Sequence, residues 1–360
     1  MTLPKLVIRD VVANPVLVPL KRPIRTAVGV IPAAPLVLVD MLTEDGITGR
    51  AYAFAYTPVA LAPLARLIQD IGAELRGQAA APAERQRAFD RRFRLVGWQG
   101  LIGMAVSTLD QCFWDALGRA MDAPVATLLG GAPKPIQAYD SYGVIDPRTD
   151  VADIEASVAS GFRAIKIKIG DGDLARDVDA VRAVRRAIGP DVALMVDFNQ
   201  SLDPPEAIRR IARLAEFDLT WVEEPVPAED LRGHAQVRAK SPVRIQTGEN
   251  WWFPRGMAES LLAGASDFAM PDVMKIGGFT GWVAAMALAQ AASLPVSSHA
   301  FVEASAHALA VTPTCHWLEH LDKASAVLAE PLRQVNGTIT ARGPGLGMDW
   351  NKVVVSRLAA

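Results

Sequence analysis

The chain has 360 residues, 51% of them hydrophobic, which is enough to bury a large core in one large domain or two unequal ones. Its 37 basic and 39 acidic side chains nearly cancel, and no basic stretch is long enough for a nucleic-acid footprint. No apolar run approaches the roughly 20 residues that cross a bilayer, and the opening MTLPKLVIRD lacks an apolar signal core. Cys112 and Cys315 fall in no C-x-x-C pattern, so both are expected as free thiols in a reducing, cytoplasmic compartment.

Taken from the start, LVIRDVVANPVLVPL and PLVLVDMLTEDGITGRAYAF are β-branched runs with EDG as a turn, which predicts β-structure over about 4–57. From about 58 to 125 the pattern is helical; LIGMAVSTLDQCFWDALGRAM places apolar residues three and four apart. GGAPKP then breaks the chain at 130–135.

After the break, eight short apolar runs alternate with amphipathic helical stretches: IQAYDS, AIKIKI, ALMVDFN, LTWVEE, VRIQTGE, DFAMPD, LPVSSH and TCHWLE. They close on Ser141, Lys166 with Lys168, Asp197, Glu223, Glu249, Asp272, His299 and Glu319, spaced 20 to 29 residues apart. That is the length of one βα unit. Eight such units close a barrel, and a barrel brings every C-terminal strand end to one mouth, whereas an open sheet does so only near its switch point. The expected fold is therefore an α/β barrel over 131–325, with 1–130 as a separate α+β region and 326–360 folding back onto it.

Asp197, Glu223 and Glu249 end three consecutive strands, about 5 Å apart in such a barrel. Carboxylates so crowded repel, and a divalent cation relieves the repulsion; all-oxygen ligands suit Mg2+ rather than Zn2+. Acids at strand ends also serve as helix N-caps, but three in register favour the metal. Glu224 points to the other side of its strand and is left out of the set. Lys166 and Lys168 share one face, so each ammonium is expected to depress the other's pKa toward that of a general base. A solvated lysine edge is the competing reading, and a closed barrel leaves no such edge. His299 lies one strand from Asp272, which would orient its imidazole. The histidines at 234, 307, 316 and 320 are read as structural. The lysines on the second run and His299 on the seventh flank the acids on the third to fifth. A base on each face of a bound substrate can invert a stereocentre.

The stretches FRAIKIKIG, MVDFNQSLD, WVEEP, GENWW, MPDVMKIGGFTGW, SSHAFVEASAH and TPTCHWLE, with RTAVG, APLVLVD and FAYTPVAL nearer the start, closely resemble the enolase superfamily and, within it, the mandelate racemase subgroup. The resemblance implies a (β/α)7β barrel capped by an α+β domain drawn from both chain ends, and a homo-oligomer, often an octamer. It implies Mg2+ on Asp197, Glu223 and Glu249. It implies Lys168 as the base for the (S) face of a 2-hydroxy acid and His299, paired with Asp272, as the base for the (R) face. Lys166 and Ser141 would contact the substrate carboxylate, Asn199 would lie near its hydroxyl, and a protonated Glu319 would donate to the enolate oxygen. A crowded acidic site is expected to raise the pKa of Glu319.

KRPIRTAVGVIPAAP resembles the family's substrate flap, with apolar Val28, Val30, Ile31 and Pro32 at its tip and Phe54 and Tyr56 beside it. This favours a small-molecule carboxylate with an aryl or apolar side chain, although a simple buried hairpin is the alternative for some of these residues. The family pattern has leucine where this chain has Ala300 and histidine where it has Arg25, and Tyr142 also differs. The expected activity is racemisation of mandelate or a similar 2-hydroxy acid. The alternatives are acid-sugar dehydration with the same groups, a lactonizing reaction with Lys275 opposite Lys168, and a non-catalytic scaffold, which nothing in the sequence supports.

Overall fold

The computed structural model describes residues 6–26 and 29–360. The β-branched N-terminal runs form an antiparallel meander of β1 (Ile8–Thr26), β2 (Gly29–Thr43) and β3 (Thr48–Phe54). Gly46, at a φ of 81°, supplies the turn between β2 and β3. Val11, Ala13, Val16 and Val18 alternate onto the buried face of β1. That face packs on α1 (Pro58–Leu75) and is continuous with the core around α3 (Leu101–Ala120), while α2 (Pro82–Arg92) and α4 (Val125–Leu128) complete the cap. The helix α3 is buried nearly all round, polar Asp110 and Asp115 included, because it lies between the cap sheet and the barrel.

The β1–β2 ladder is regular from Asp10↔Leu42 to Pro19↔Ala33, shifts register, and resumes at Ile24↔Ile31. Its far end is the flap. The flap lies on the barrel because Gly143 has no side chain; a Cβ there would meet the Arg25 carbonyl oxygen at 2.5 Å. Val28, expected at the flap tip, is outside the described residues.

The barrel runs β4 (Ile136–Val144), α5 (Val151–Ala159), β5 (Ala164–Lys168), α6 (Leu174–Ile188), β6 (Ala193–Asp197), α7 (Pro204–Leu214), β7 (Leu219–Glu223), α8 (Leu231–Lys240), β8 (Ile245–Thr247), α9 (Phe253–Ala263), β9 (Phe268–Ala269), α10 (Gly278–Ala291), residues 294–299, α11 (Val302–Ala310) and β10 (Leu318–His320). The strands are parallel, in the order β10-β4-β5-β6-β7-β8-β9. One expected strand is not a regular one. LPVSSH joins its neighbours only through isolated bridges, Ala269↔Val296, Asp272↔His299 and Val296↔Cys315. Pro271 and Pro295 interrupt the donor ladder on this side. The backbone bonds from Ser297 N–H to the Ala269 carbonyl (2.8 Å) and from Ser298 N–H to the Trp317 carbonyl (3.0 Å) still close the ring. The fold is thus an α/β, (β/α)7β barrel with a capping domain.

Tyr139, Ala164, Met195 and Trp221 form a packed layer inside the barrel, which floors the mouth. Beyond β10 the chain adds β11 (Thr338–Ile339) antiparallel to β4, then returns to the cap through α12 (Lys352–Arg357). There the Leu346 N–H donates to Asp115 (2.6 Å), the Trp350 indole to Asp40 (2.8 Å), and the Leu17 N–H to the Leu358 carbonyl (3.1 Å). Cys112 and Cys315 are both free thiols. Among the described residues no helix is long and apolar enough to cross a membrane.

Candidate active site

The strand ends bring the expected side chains to one mouth. Carboxylate oxygens of Asp197, Glu223 and Glu249 lie within 4.8 Å of one another, and all three residues are buried. β6 and β7 place the first two side by side, with Asp197 opposite Glu223 in the ladder. Glu249 follows Gly248, whose φ of 140° turns the chain at the end of β8; a Cβ there would meet the Met270 nitrogen at 2.8 Å. Three buried carboxylates this close need a positive charge among them. Their all-oxygen donor set fits a hard divalent cation, and Mg2+ is the cofactor the cluster suits. Among the described residues the buried Oδ1 of Asn199 has no donor, although its amide donates to Asp197 (3.1 Å), so an oxygen acceptor is open beside the cluster.

Glu224 turns away, as expected. It accepts twice from the Asn250 amide (3.0 and 2.8 Å), whose carbonyl oxygen takes a hydrogen bond from Lys275 (2.7 Å). Lys275 is thereby tied on the side of Glu224 and lies over the Tyr56 ring at 4.7 Å.

Lys166 is fully buried. Its Nζ donates to Glu223 (2.6 Å) and ion-pairs Glu319 (2.8 Å). Lys168 donates to Asp197. Lys166 does lower the pKa of Lys168, but the net shift toward neutrality expected for the pair is not met. Burial favours their neutral forms, but the charge of Glu223 and Glu319 raises the pKa of Lys166 well above its ordinary value, and Asp197 raises that of Lys168 against the opposing Lys166. Each ammonium faces a carboxylate more closely than it faces the other.

Glu319 sits in a socket. It accepts from the Ser141 hydroxyl (2.8 Å) and the Ala300 N–H (2.8 Å), besides Lys166. A second expectation fails here. Burial does push its pKa up, but Lys166 and His299 outweigh it and hold the carboxyl well below the usual range. The site is crowded with cations as well as acids. Glu223 behaves oppositely: burial, with Asp197 and Glu319 nearby, carries it up to about 8 despite Lys166. Burial also works against the charge of Glu249, yet His299, Lys168 and Lys275 hold it at about 2.

His299 Nδ1 is 2.6 Å from Asp272 Oδ2. Its Nε2 faces Glu249 (3.4 Å) and Glu319 (3.8 Å). Asp272 also accepts from the Met274 N–H (2.6 Å), so its orientation is fixed from two sides. Ala300 and Phe301 both adopt left-handed backbone, with φ of 49° and 47°. That bend aims the Ala300 N–H at Glu319 directly after His299. Asn199, Gln200, Glu224 and Tyr56 share the left-handed region, so strained backbone gathers around the mouth. Sequence alone carried no signal for it, since none of these is glycine.

Beside the cluster, between the flap and the mouth, lies a cavity of about 650 Å3 that reaches Ser141. Val30 and Ile24 contribute apolar surface, but Arg22, Arg25, His320 and Lys323 line it too. The cavity is therefore more basic than the apolar flap tip suggested. Arg25 is turned outward: its Nε donates to the Val144 carbonyl (2.7 Å) and its guanidinium to Asp150. Tyr142 lies under Arg22 at 4.0 Å and donates to the Asp153 carbonyl. Ala300 is fully buried. Phe54 and Tyr56 are in ring contact at 4.6 Å. Of the remaining histidines, His234, His307 and His316 pack away from the mouth, whereas His320 bonds Asp140 (2.9 Å) at the cavity wall. Sequence reasoning passed over Lys323, whose only flag was a lysine four residues beyond Glu319.

A closed parallel barrel with a buried acid triad, two lysines and a carboxylate-backed histidine at its mouth defines a Mg2+-dependent barrel enzyme. Residues 8–130 match the mandelate racemase / muconate lactonizing enzyme N-terminal domain, and residues 150–354 match the enolase C-terminal domain-like family. The chain belongs to the enolase superfamily, in its mandelate racemase and muconate lactonizing branch. It is similar to an enolase from Bradyrhizobium solved with magnesium and mandelic acid, at 57% identity over 100% of both chains with a TM-score of 0.97. It is 33% identical to the 3,6-anhydro-alpha-L-galactonate cycloisomerase of Streptomyces coelicolor, over 88% of this chain and 90% of that one. The L-talarate dehydratase of Polaromonas sp. JS666, solved with Mg and L-glucarate, is 25% identical over 99% of this chain and 97% of its own, with a TM-score of 0.87.

Proposed function

We propose that this protein racemises mandelate or a similar aryl or apolar 2-hydroxy carboxylate by a two-base mechanism. The observation that carries the reading is the His299–Asp272 pair at 2.6 Å, across the acid cluster in strand order from Lys168. Asp197, Glu223 and Glu249 would hold Mg2+, which supplies electrostatic stabilisation to charge developing on the substrate's carboxylate. With Asp197 engaged by Mg2+, burial and the neighbouring Lys166 would favour the neutral amine of Lys168, which takes the α-proton of the (S) substrate while the protonated His299 returns one to the opposite face; the reverse sequence serves the (R) substrate. Asp272 fixes the imidazole so that Nε2 is the atom that exchanges the proton. Lys166 and Ser141 bind the substrate carboxylate and Asn199 its hydroxyl. Once Lys166 turns to the substrate, the buried Glu319 takes up a proton from solvent, keeps it, and donates a hydrogen bond to the enolate oxygen. Tyr56 and the described part of the flap, Val30 among it, would enclose the side chain. The likeness to the Bradyrhizobium protein with mandelic acid supports the substrate class.

Dehydration of an acid sugar with the same groups is the second reading, favoured by the likeness to the talarate dehydratase. The two separate when the Mg2+-loaded enzyme is incubated with (R)-mandelate and with a sugar-acid library. Racemisation predicts decay of optical rotation without keto acid. Release of a 2-keto acid from a sugar acid, with mandelate rotation unchanged, rules it out. The protein is also proposed to act as a homo-oligomer, which light scattering at working concentration would test; a monomer mass overturns it.

A further inference from the structure

The cavity beside the mouth has several basic groups, and most are already engaged. Arg22 donates to both oxygens of Asp140 (3.1 Å each), which also receives Ser157 and His320. Arg25 is held by Asp150. Lys323 differs. It is 6% exposed, it lines the cavity, and among the described residues its ammonium has neither a hydrogen-bond acceptor nor an ion-pair partner. Its adjacent acid, Asp322, is occupied by the N–H and hydroxyl of Ser325. The Lys323 ammonium lies over the face of Phe54, at 4.2 Å from the ring centroid. Phe54 in turn packs against Tyr56 and, among the described residues, receives no other cation.

An ammonium on a nearly buried side chain, open only toward the cavity and otherwise resting on a ring face, gains most from an anionic partner that enters there. Burial lowers its pKa to about 8, against the pull of Glu319, Asp272 and Glu249. A hydroxyl acceptor would give one hydrogen bond; a carboxylate would also balance the charge. Apolar walls at Ile24 and Val30 suit the part of a ligand that lies between.

We propose that Lys323 is a specificity-determining residue that binds a second carboxylate at the far end of the substrate's side chain, so that the preferred substrate is a dicarboxylate: a 2-hydroxy acid whose aryl or apolar spacer ends in an anion. The inference rests on the α-proton reading for the position of the reacting end, and it adds the chemistry of the other end.

The test compares mandelate, 4-methylmandelate and 4-carboxymandelate with the Mg2+-loaded wild type, K323M and K323Q. The methyl compound controls for size. The wild type is expected to favour the carboxylated compound over the methylated one by at least tenfold in kcat/KM, carried by KM. In both variants that ratio falls at least tenfold. Equal losses on all three compounds, or a ratio that the variants leave alone, overturn the proposal. Titration calorimetry of the same compounds decides the case in which none is turned over. Preferential binding of the dicarboxylate that K323M abolishes upholds the role of Lys323 while the racemase reading fails, and binding indifferent to K323M sinks the inference whatever the chemistry at the mouth.

Discussion

Replacing His299 by Asn removes the proton-exchanging Nε2 and leaves Lys168 in place. In the wild type, Nε2 lies 3.4 Å from Glu249 and 3.8 Å from Glu319, while Nδ1 is held 2.6 Å from Asp272. The shorter Asn side chain cannot bring a titratable nitrogen to that point. A positioned general base contributes on the order of 10^2–10^4 in rate, so racemisation in both directions should fall by about three decades, or about 4 kcal/mol of barrier. Exchange of the (S) substrate's α-proton with solvent needs Lys168 alone and should stay within about tenfold of wild type. The assay is proton NMR in deuterated water for exchange, beside polarimetry for racemisation. Asp272 is fully buried and loses its imidazole partner, which costs on the order of 1–3 kcal/mol of stability. A melting curve at the assay temperature separates that cost from the catalytic one. Loss of (S)-proton exchange in a folded H299N protein would refute the two-base assignment, and retained racemisation would refute the role of His299.

Chelation should abolish activity and lower the melting temperature, and Mg2+ at about 100 times its dissociation constant should restore about 2.7 kcal/mol; E249Q should weaken the Mg2+-dependent shift in calorimetry. His307 is fully buried, its Nδ1 accepts from the Ala126 N–H (3.2 Å), and burial lowers its pKa to about 4. Because the folded value lies below the unfolded one, its contribution is intact above about pH 6.5 and is lost as pH falls toward 4, with about 2 kcal/mol gone by pH 5. Urea denaturation of wild type and H307Q at pH 7 and 5 should show a smaller acid loss in the variant; identical losses would contradict it. Asp115 is fully buried and accepts from the N–H groups of Arg50 (2.7 Å) and Leu346 (2.6 Å) and from the Arg119 guanidinium (2.6 Å). D115A should cost about 3–5 kcal/mol by leaving those donors unpaired, read as a drop in denaturation midpoint.

Much of the mouth was legible because a barrel strand end is a position that sequence marks. The alternation within KIK and the polar residue closing VD, VE and GE fix which side chains face inward, and periodicity alone led to the acid triad. The seventh strand was over-read. Leu-Pro-Val-Ser-Ser has strand composition, but its proline cannot donate, and pairing survives there only as bridges. The protonation states were misjudged for a different reason. Sequence spacing gives which groups share a strand, not which lie nearest across strands, and Lys166 meets Glu223 and Glu319 before it meets Lys168. Lys323 was missed because it lies in a loop past the last strand, where no period constrains the direction of a side chain.

The meander's longest strands have two unlike halves. From Asp10 to Pro19, β1 is laddered to β2, buried against helices, and edged by the returning segment at Leu358. Beyond the register shift, the same two strands leave that core and rest on the end of β4 through Arg22, Arg25 and Gly143. Residues 21–25 and Val30 line the cavity, so a change there would reshape its wall without entering the core that keeps the cap folded. Variation in substrate is cheap in this architecture, while variation in chemistry is not, because the reacting groups hang from the barrel's own strands. A library confined to residues 21–32 and Lys323 would sample new substrates on an unchanged reaction.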